Sequence, residues 1–256
     1  MQAVAGTRNS VAPGIVTLRL VVACCALALV MVRPVFAEAE AASDAYGLDD
    51  VFEKATDNHG SGLERLYGTR NFRMILRGVA YRGGANNKWL ASGRRDNMNP
   101  LPETGLTNLC EEGFSESYYL YTTNYEDAPK QVSCTSATGD GRTLTYLQRS
   151  ASNEDQAYDM LHSVYESIRN RDRGPVYLHC WNGWHASGLI AAKILRQFCG
   201  LSAEEAVRYW EMNTDGHNTA PRYEGIRRRI REFEPYPEFA ITSDEAAEVC
   251  PAVDGR

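Results

Sequence analysis

A cysteine stands where an apolar strand pattern meets a turn of small residues, in the stretch VYLHCWNGWHASG (Val176–Gly188). Cys180 ends the predicted strand, Gly183 permits backbone conformations closed to other residues, and Ser187 lies where a helix begins. Backbone N–H groups of such a strand–loop–helix unit converge at the positive end of the helix dipole and form a cradle for an anion. The same field favours the thiolate of Cys180, and a thiolate facing a bound phosphate can attack phosphorus.

The residues of this turn resemble the signature loop of the cysteine-dependent protein tyrosine and dual-specificity phosphatases, H-C-x-x-G-x-x-R-[ST]-G. Every fixed position from His179 to Gly188 matches except the arginine, which is Ala186 here. The resemblance implies that Cys180 is the nucleophile and that Ser187 helps the thiolate to leave. It also implies that the phosphate is bound by the loop residues Trp181, Asn182, Gly183, Trp184, His185, Ala186, Ser187 and Gly188.

Weaker similarity to the same family extends from about residue 72 to residue 233. VAYRGGANN is similar to the strand that opens many dual-specificity-like domains, and TGLTNLCEE is similar to the strand that follows it. SASNEDQAYDMLHSVYESI is similar to the helix that precedes the signature strand. These segments occur in the family's order, and they imply a dual-specificity-phosphatase-like fold.

The position of Ala186 raises the question of what binds the phosphate in place of arginine. A planar, always charged guanidinium matches phosphate geometry bidentately, and losing one such transition-state donor costs about 3–4 kcal/mol, or ~10²–10³ in rate. His185 could substitute as an imidazolium, because a bound dianion favours its charged form. Alternatively, His185 points away and bonds the backbone. Arg82, Arg149 and Arg222 could also reach the loop from neighbouring segments.

The resemblance also calls for an upstream aspartate that protonates the leaving oxygen. Asp140, in TGDGR, lies 40 residues before Cys180 and is our predicted general acid, with an ordinary turn residue as the alternative. Asp155 is nearer in sequence, but it fits the first turn of a helix, where the dipole favours an acid. Asp127 lies further from the cysteine.

Aromatic and polar residues beside the turn offer further candidates. Trp181 and Trp184 could form an apolar wall of a substrate pocket or pack the loop. The segment NTDGHN falls where the family places a loop near the active site. Asp215 and His217 in that segment could contact substrate, position water or form a turn.

A metal site is a competing interpretation, with His179, Cys180, His185 and His217 as possible ligands. Adjacent residues of a strand point to opposite faces, so His179 and Cys180 are unsuited to one ion. We therefore expect neither a metal nor another cofactor. The remaining alternatives are a pseudophosphatase that binds an anionic or phosphorylated partner without turnover, and other thiol chemistry such as sulfur transfer.

Residues 1–37 have the pattern of a secretory signal peptide. Arg8 and Arg19 precede the uncharged apolar run Leu20–Val32, and RPVFA follows as a cleavage site. The run is shorter than the roughly 20 residues that span a membrane, although an uncleaved anchor remains the alternative. We predict a secreted or periplasmic protein that meets the membrane only if this segment stays uncleaved.

The composition argues against a nucleic-acid partner. The leader holds three of the 27 basic residues and no acid, so the rest of the chain has 24 basic and 33 acidic residues and a formal charge of −9. General nucleic-acid binding needs a broad basic surface. We expect a monomer whose partner is a phosphorylated protein or small molecule.

Five cysteines follow the leader: Cys110, Cys134, Cys180, Cys199 and Cys250. In an oxidising compartment an even number pairs, which leaves one free thiol. The turn motif makes Cys180 the unpaired residue, and proximity along the chain then predicts the disulfides Cys110–Cys134 and Cys199–Cys250.

Strand and helix patterns alternate along one α/β domain, residues 72–240, after a flexible acidic lead-in at 38–71 and before a tail at 241–256. The sheet should be parallel-dominated and flanked by helices, with the site at the carboxyl ends of its strands. Predicted strands lie within 72–84, 106–110, 117–122, 142–149 and 176–180, residues 123–142 are predicted as a loop, and predicted helices begin at 152, 187, 202 and 222.

Overall fold

The computed structural model describes residues 44–86, 100–136 and 139–253, so the predicted signal peptide lies outside the described residues. No helix within these ranges is long and apolar enough to cross a membrane. The strands found there are β1 (Thr69–Leu76), β2 (Ala80–Ala85), β3 (Glu116–Tyr119), β4 (Gln131–Thr135), β5 (Gly141–Gln148) and β6 (Val176–Cys180). The α-helices are α1 (Glu103–Glu111), α2 (Glu154–Arg169), α3 (Ala186–Cys199), α4 (Ala203–Met212), α5 (Glu224–Glu232) and α6 (Ser243–Val249).

The strands form one mixed sheet in the order β1-β2-β6-β3-β5-β4. The four central strands are parallel, and β1 and β4 are antiparallel edge strands. Gly84 pairs with Cys180, and Tyr119 pairs with both His179 and Gln148, so the parallel strands end at one edge of the sheet. The predicted α/β class with a parallel-dominated sheet flanked by helices is confirmed.

Strand β6 lies between two hydrophobic cores, one on each face of the sheet. Val176, Leu178 and Cys180 belong to the core that the sheet forms with α2, α3 and α4. Tyr177 belongs to the core on the other face, which α1 covers, and His179 stacks on its ring. Because side chains alternate along a strand, the histidine and the cysteine of the motif occupy opposite faces.

The predicted disulfides are confirmed. Cys110 of α1 pairs with Cys134 of β4, with a Cα–Cα distance of 6.0 Å. Cys199 at the end of α3 pairs with Cys250 just after α6, with a Cα–Cα distance of 5.7 Å. Cys180 is the free cysteine of the described residues.

The segment LTNLC is helical, so its prediction as a strand is wrong. It lies within α1, and Leu106, Leu109 and Cys110 are buried. Their i, i+3, i+4 spacing covers one face of a helix, but a window of five residues is too short to separate this pattern from a short buried strand.

Two elements lie in regions predicted to be irregular. Strand β4 lies in the predicted loop 123–142, and its residues alternate between exposed and half-buried because it is an edge strand. Helix α6 lies in the predicted tail and begins with a capping box between Thr242 and Glu245. A similar box at Ser202 and Glu205 opens α4, as predicted.

Residues 44–71 are packed against the domain instead of forming the flexible lead-in that we predicted. Leu48, Val51 and Leu66 are buried, and Leu66 ends a short 3₁₀ helix. The segment has few apolar residues, but those few reach both cores. Smaller differences concern helix starts: Asn153 caps α2 in place of Ser152, and α5 starts at Glu224 after a 3₁₀ turn.

Candidate active site

Cys180 and Ser187 meet at the junction of β6, the loop and α3. The Sγ atom of Cys180 lies 3.6 Å from the Oγ atom of Ser187, and the serine hydroxyl also donates to the Gly83 carbonyl at 3.3 Å. Cys180 is 6% exposed and Ser187 is fully buried. The structure thus brings together Cys180, to which the resemblance assigns the role of nucleophile, and Ser187, which it implies helps the thiolate to leave.

A cavity of about 100 Å³ opens at Cys180. Its lining is mostly aromatic, and within the described part of the chain it contains no arginine and no carboxylate. The lining residues are Tyr121, Cys180, Trp181, Asn182, Trp184, His185 and Ala186.

Glycines allow the loop to lie directly against the end of β2. Gly183 has φ +76°, and a Cβ atom on it would lie 2.5 Å from the backbone carbon of Gly83. A Cβ atom on Gly84 would lie 2.3 Å from the Trp181 carbonyl oxygen. Side chains at these positions would push the loop away from β2, because contacts this short do not occur between real Cβ atoms and backbone.

Four carbonyls of the loop accept hydrogen bonds from donors that lie behind it. The donors belong to the end of β2, to β1 and to α4. The pairs are Ala85 N to Trp181 O at 3.2 Å, Asn71 Nδ2 to Asn182 O at 2.7 Å, Arg82 Nη2 to Gly183 O at 2.9 Å and Trp210 Nε1 to His185 O at 3.3 Å.

These bonds orient the loop amides. In a planar trans peptide the C=O of one residue and the N–H of the next point in opposite directions. The N–H groups that follow the four carbonyls therefore point away from the donors, toward the cavity, and none of them donates to a described residue. They belong to Asn182, Gly183, Trp184 and Ala186. This arrangement and the start of α3 match the anion cradle that we predicted from the sequence, and anion binding there stays a prediction.

Ala186 stands at the position where the resemblance calls for an arginine. It is the first residue of α3 and lines the cavity, so its methyl group faces the space where a guanidinium would bind phosphate. A methyl group donates no hydrogen bond and carries no charge. Beside the loop N–H groups, the described lining offers only uncharged side-chain donors, such as the Asn182 amide, the Trp181 indole and the Tyr121 hydroxyl.

His185 bonds the backbone, as in the alternative that we considered. Its Nε2 atom lies 2.6 Å from the His217 carbonyl oxygen, and its ring stacks on Tyr223 with centroids 4.2 Å apart. Burial lowers the pKa of His185, and the charge of Arg222 lowers it further, despite the opposing hydrogen bond. The ring is therefore neutral at neutral pH, and the prediction that an imidazolium replaces the arginine is not supported.

The other arginines also do not line the cavity. Arg82 lies behind the loop. Arg149 forms an ion pair with Asp159 at 3.5 Å, and Arg222 donates to the Tyr223 hydroxyl at 2.9 Å. Of the three arginines that we considered as substitutes for the missing arginine, Arg82 bonds the loop backbone directly.

The topology contradicts the prediction that Asp140 is the general acid. β5 begins at Gly141 and runs parallel to β6, so Asp140 lies at the amino edge of the sheet, whereas Cys180 lies at the carboxyl edge. β5 alone is about 23 Å long. The Asp140 carbonyl accepts from Ser136 N at 2.8 Å, which makes Asp140 part of the β4–β5 turn.

The remaining aspartates that we considered do not line the cavity either. Asp155 is exposed in the first turn of α2, as predicted, and Asp127 is exposed in the loop after β3. The sequence signal for Asp140 was its distance from Cys180 along the chain, and chain distance does not reveal which edge of a sheet a loop occupies.

Asp215 anchors the cradle loop to the segment after α4. Its Oδ2 atom accepts from Trp184 Nε1 at 3.0 Å, and its carboxylate also contacts Lys54 at 2.8 Å and Arg73 at 3.4 Å. Burial opposes ionisation, but the bond from Lys54 and the charge of Arg73 outweigh it and hold the pKa of Asp215 below its usual value. Asp215 is therefore a carboxylate that positions Trp184, and it is not suited to donate a proton.

Both tryptophans of the loop form walls of the cavity. Trp184 stacks on His217 with centroids 4.1 Å apart and planes 15° apart. Trp181 contacts Tyr121 with centroids 4.2 Å apart. Tyr121, which our sequence reasoning did not single out, follows β3 at the carboxyl edge of the sheet.

His179 is fully buried on the opposite side of β6 from Cys180. Its ring stacks on Tyr119 and Tyr146, and its Nε2 atom lies 2.8 Å from the Tyr146 hydroxyl. Burial lowers the pKa of His179 to about 3. The histidines that we considered as metal ligands thus make contacts at separate places. The described residues hold no cluster of three or more metal-ligating side chains.

Buried His179 predicts acid sensitivity. Its folded pKa of about 3 lies below its ordinary value of 6.5, so between these values the unfolded chain binds more protons and stability falls as pH falls. We expect the wild type to lose about 2 kcal/mol of unfolding free energy from this group between pH 7 and pH 5. Urea denaturation at both pH values should show this loss in the wild type and should not show it in His179→Gln. The exposed His162 of α2 provides the control, and an unchanged loss in His179→Gln would contradict the prediction.

No family model matches the chain, and no curated protein matches it. Solved structures of phosphatases are similar to it. Tk-PTP in its active form is 16% identical, with a TM-score of 0.41 over 64% of this chain and 97% of that one. P. aeruginosa TpbA is 17% identical, with a TM-score of 0.36 over 55% and 83%. Cydia pomonella PTP-2 phosphatase is 13% identical, with a TM-score of 0.33 over 58% and 83%. These likenesses are distant, so the chemistry of the site has to follow from its own geometry.

Proposed function

We propose that the protein is a cysteine-dependent phosphatase that hydrolyses a phosphate monoester through a phosphocysteine at Cys180. One observation carries the proposal: the free Cys180 lies in a cavity that its own loop lines, and the carbonyls of that loop bond donors behind it. Nucleophile and anion cradle are thus combined in one strand–loop–helix unit.

The reaction has two displacements. The Cys180 thiolate attacks phosphorus, the bond from phosphorus to the leaving oxygen breaks, and that oxygen takes a proton from water. Water then attacks phosphorus, its proton passes to solvent, and the S–P bond breaks with the electron pair returning to sulfur. The Ser187 Oγ atom lies 3.6 Å from the sulfur, and its single proton turns from the Gly83 carbonyl to the departing thiolate.

The lining of the cavity implies slow turnover. Neither a guanidinium nor a carboxylate is present in the described lining, so phosphate is bound by backbone N–H groups and the leaving oxygen has no positioned acid there. General acid catalysis typically contributes 10²–10⁴-fold, and one strong transition-state donor contributes ~10²–10³-fold. We therefore propose activity toward substrates with good leaving groups, of which aryl phosphates are the simplest.

We further propose that the protein acts outside the cytoplasm, after removal of residues 1–37. The two disulfides support an oxidising compartment, because such bonds are rare in the cytosol. The substrate is a phosphorylated protein or small molecule, and the protein acts as a monomer without a metal or another cofactor.

A pseudophosphatase is the second candidate function. The same lining favours it, since a cradle without the charged clamp and without an acid can retain an anion while failing to turn it over. The partner would then be an anionic or phosphorylated molecule that the loop binds by its backbone.

Trapping the covalent intermediate separates these functions. Wild-type protein is incubated with p-nitrophenyl phosphate and quenched with acid, and the peptide that contains Cys180 is analysed by mass spectrometry. We expect one phosphoryl group on that peptide, and none in Cys180→Ser. Binding of inorganic phosphate without phosphocysteine or product would favour the pseudophosphatase, and absence of both binding and product would contradict both proposals.

A further inference from the structure

Two buried arginines lie side by side behind the cradle. Arg73 of β1 and Arg82 of β2 are register partners across the antiparallel pair, and they are 1% and 0% exposed. Arg73 reaches the Asp215 carboxylate at 3.4 Å. Arg82 donates to two backbone carbonyls instead, Gly183 at 2.9 Å and Asn213 at 3.3 Å.

Arg82 has no carboxylate partner within the described part of the chain. Its Nε and Nη1 atoms are buried and bond no described acceptor, and its guanidinium carbon lies 5.5 Å from the centre of the Tyr209 ring. Carbonyl dipoles and a ring face compensate a buried cation only in part.

The neighbourhood is richer in cations than in anions. The charge of Arg82 acts on both Lys54 and Arg73, and among the described residues the Asp215 carboxylate bonds these two and not Arg82. Burial is the main cause that lowers the pKa of Arg73 to about 10, and the charge of its register partner Arg82 lowers it further. A further negative charge near Arg82 would therefore be favourable.

The cradle lies next to this cation. Arg82 bonds the Gly183 carbonyl in the middle of the loop, and a Cβ atom on Gly188 would lie only 2.7 Å from its Nη1 atom. The guanidinium thus touches the back of the loop and the first turn of α3, while the cavity lies in front. Loop backbone separates the charge from the cavity.

We propose that Arg82 is the counter-ion of the anion in the cradle and supplies from behind the loop the positive charge that Ala186 does not supply. The inference rests on the anion cradle of the proposed function. Arg82 is a positioning residue, because it holds the Gly183 carbonyl and thereby points the Trp184 N–H at the anion. Its charge acts through the loop without touching the ligand.

A measurable consequence is coupling between anion binding and stability. Anything that binds the folded state alone raises the free energy of unfolding in proportion to the logarithm of its concentration over Kd. An anion that also balances a buried cation should stabilise the protein strongly, and that stabilisation should depend on Arg82.

Thermal unfolding with inorganic phosphate tests the proposal, at constant ionic strength set with sodium chloride. We expect the apparent phosphate Kd to rise at least about tenfold in Arg82→Gln and to change little in Arg82→Lys, which keeps the charge. Lys193→Gln is the matched control, because Lys193 of α3 is almost as deeply buried as Arg82 but pairs with Glu154 at 2.6 Å. Its Tm should fall while its phosphate Kd stays near that of the wild type.

Each outcome decides the question. Wild-type phosphate Kd in folded Arg82→Gln would overturn the proposal. Arg82→Gln could also be unfolded in buffer. If phosphate at concentrations that saturate the wild type then refolds it, the proposal is overturned. If phosphate does not refold it while Arg82→Lys binds phosphate, the proposal is supported. A wild-type protein that does not bind phosphate would instead contradict the cradle and with it the proposed function.

Discussion

We expect Cys180→Ser to abolish phosphate release from aryl phosphates, with kcat at least about 10³-fold lower than in the wild type. A serine hydroxyl at this position stays protonated at neutral pH, and its described hydrogen-bonding neighbour, the Ser187 hydroxyl, is not a general base. The substitution replaces sulfur by a smaller oxygen at a buried site beside Ser187, so the fold and the loop should be retained.

Phosphate release from p-nitrophenyl phosphate over a range of concentrations measures this effect. The control is phosphate binding by Cys180→Ser, which should stay near that of the wild type, because the loop N–H groups proposed to bind the anion are unchanged. Ser187→Ala provides a comparison, since it should slow breakdown of the phosphocysteine while leaving its formation intact. Residual turnover of Cys180→Ser near the wild-type rate would show that the activity belongs to another group.

We expect Ala186→Arg to raise kcat/KM for p-nitrophenyl phosphate by about 10²–10³-fold. Residue 186 begins α3 and lines the cavity, so a side chain there extends into the space in front of the cradle. A guanidinium would form two parallel hydrogen bonds to phosphoryl oxygens and balance the charge that grows in the transition state.

Ala186→Lys is the matched control for this gain. It adds the same charge without the planar pair of donors, so it should raise kcat/KM by less than arginine does. Circular dichroism and thermal unfolding establish that each variant is folded. A folded Ala186→Arg with unchanged kcat/KM would contradict the view that residue 186 occupies the vacated phosphate-binding position.

Local sequence signals predicted the features that depend on local structure. The loop with its flanking strand and helix, the capping box of Ser202 and Glu205, and both disulfides were all predicted from the sequence. Such features depend on a few neighbouring residues or on counting a rare residue type, so they can be identified before the topology is known.

Features that depend on topology could not be predicted in this way. Asp140 was chosen by its distance along the chain, yet the direction of β5 places it at the far edge of the sheet. The contact of Arg82 with Gly183 joins residues 101 positions apart, and Asn71 reaches the loop across 111 positions. Only the pairing of β1, β2 and β6 brings these donors behind the cradle.

Helix α3 also separates two kinds of sulfur chemistry. The free thiol of Cys180 precedes its first turn, and the Cys199–Cys250 bond lies at its last residue. Fourteen residues of helix place these sulfurs about 20 Å apart. Thiol–disulfide exchange requires a thiolate to contact a disulfide sulfur, so a helix of this length prevents exchange between Cys180 and the Cys199–Cys250 bond within one folded molecule. A reactive thiol can therefore persist beside a structural disulfide in an oxidising compartment, as long as α3 stays folded.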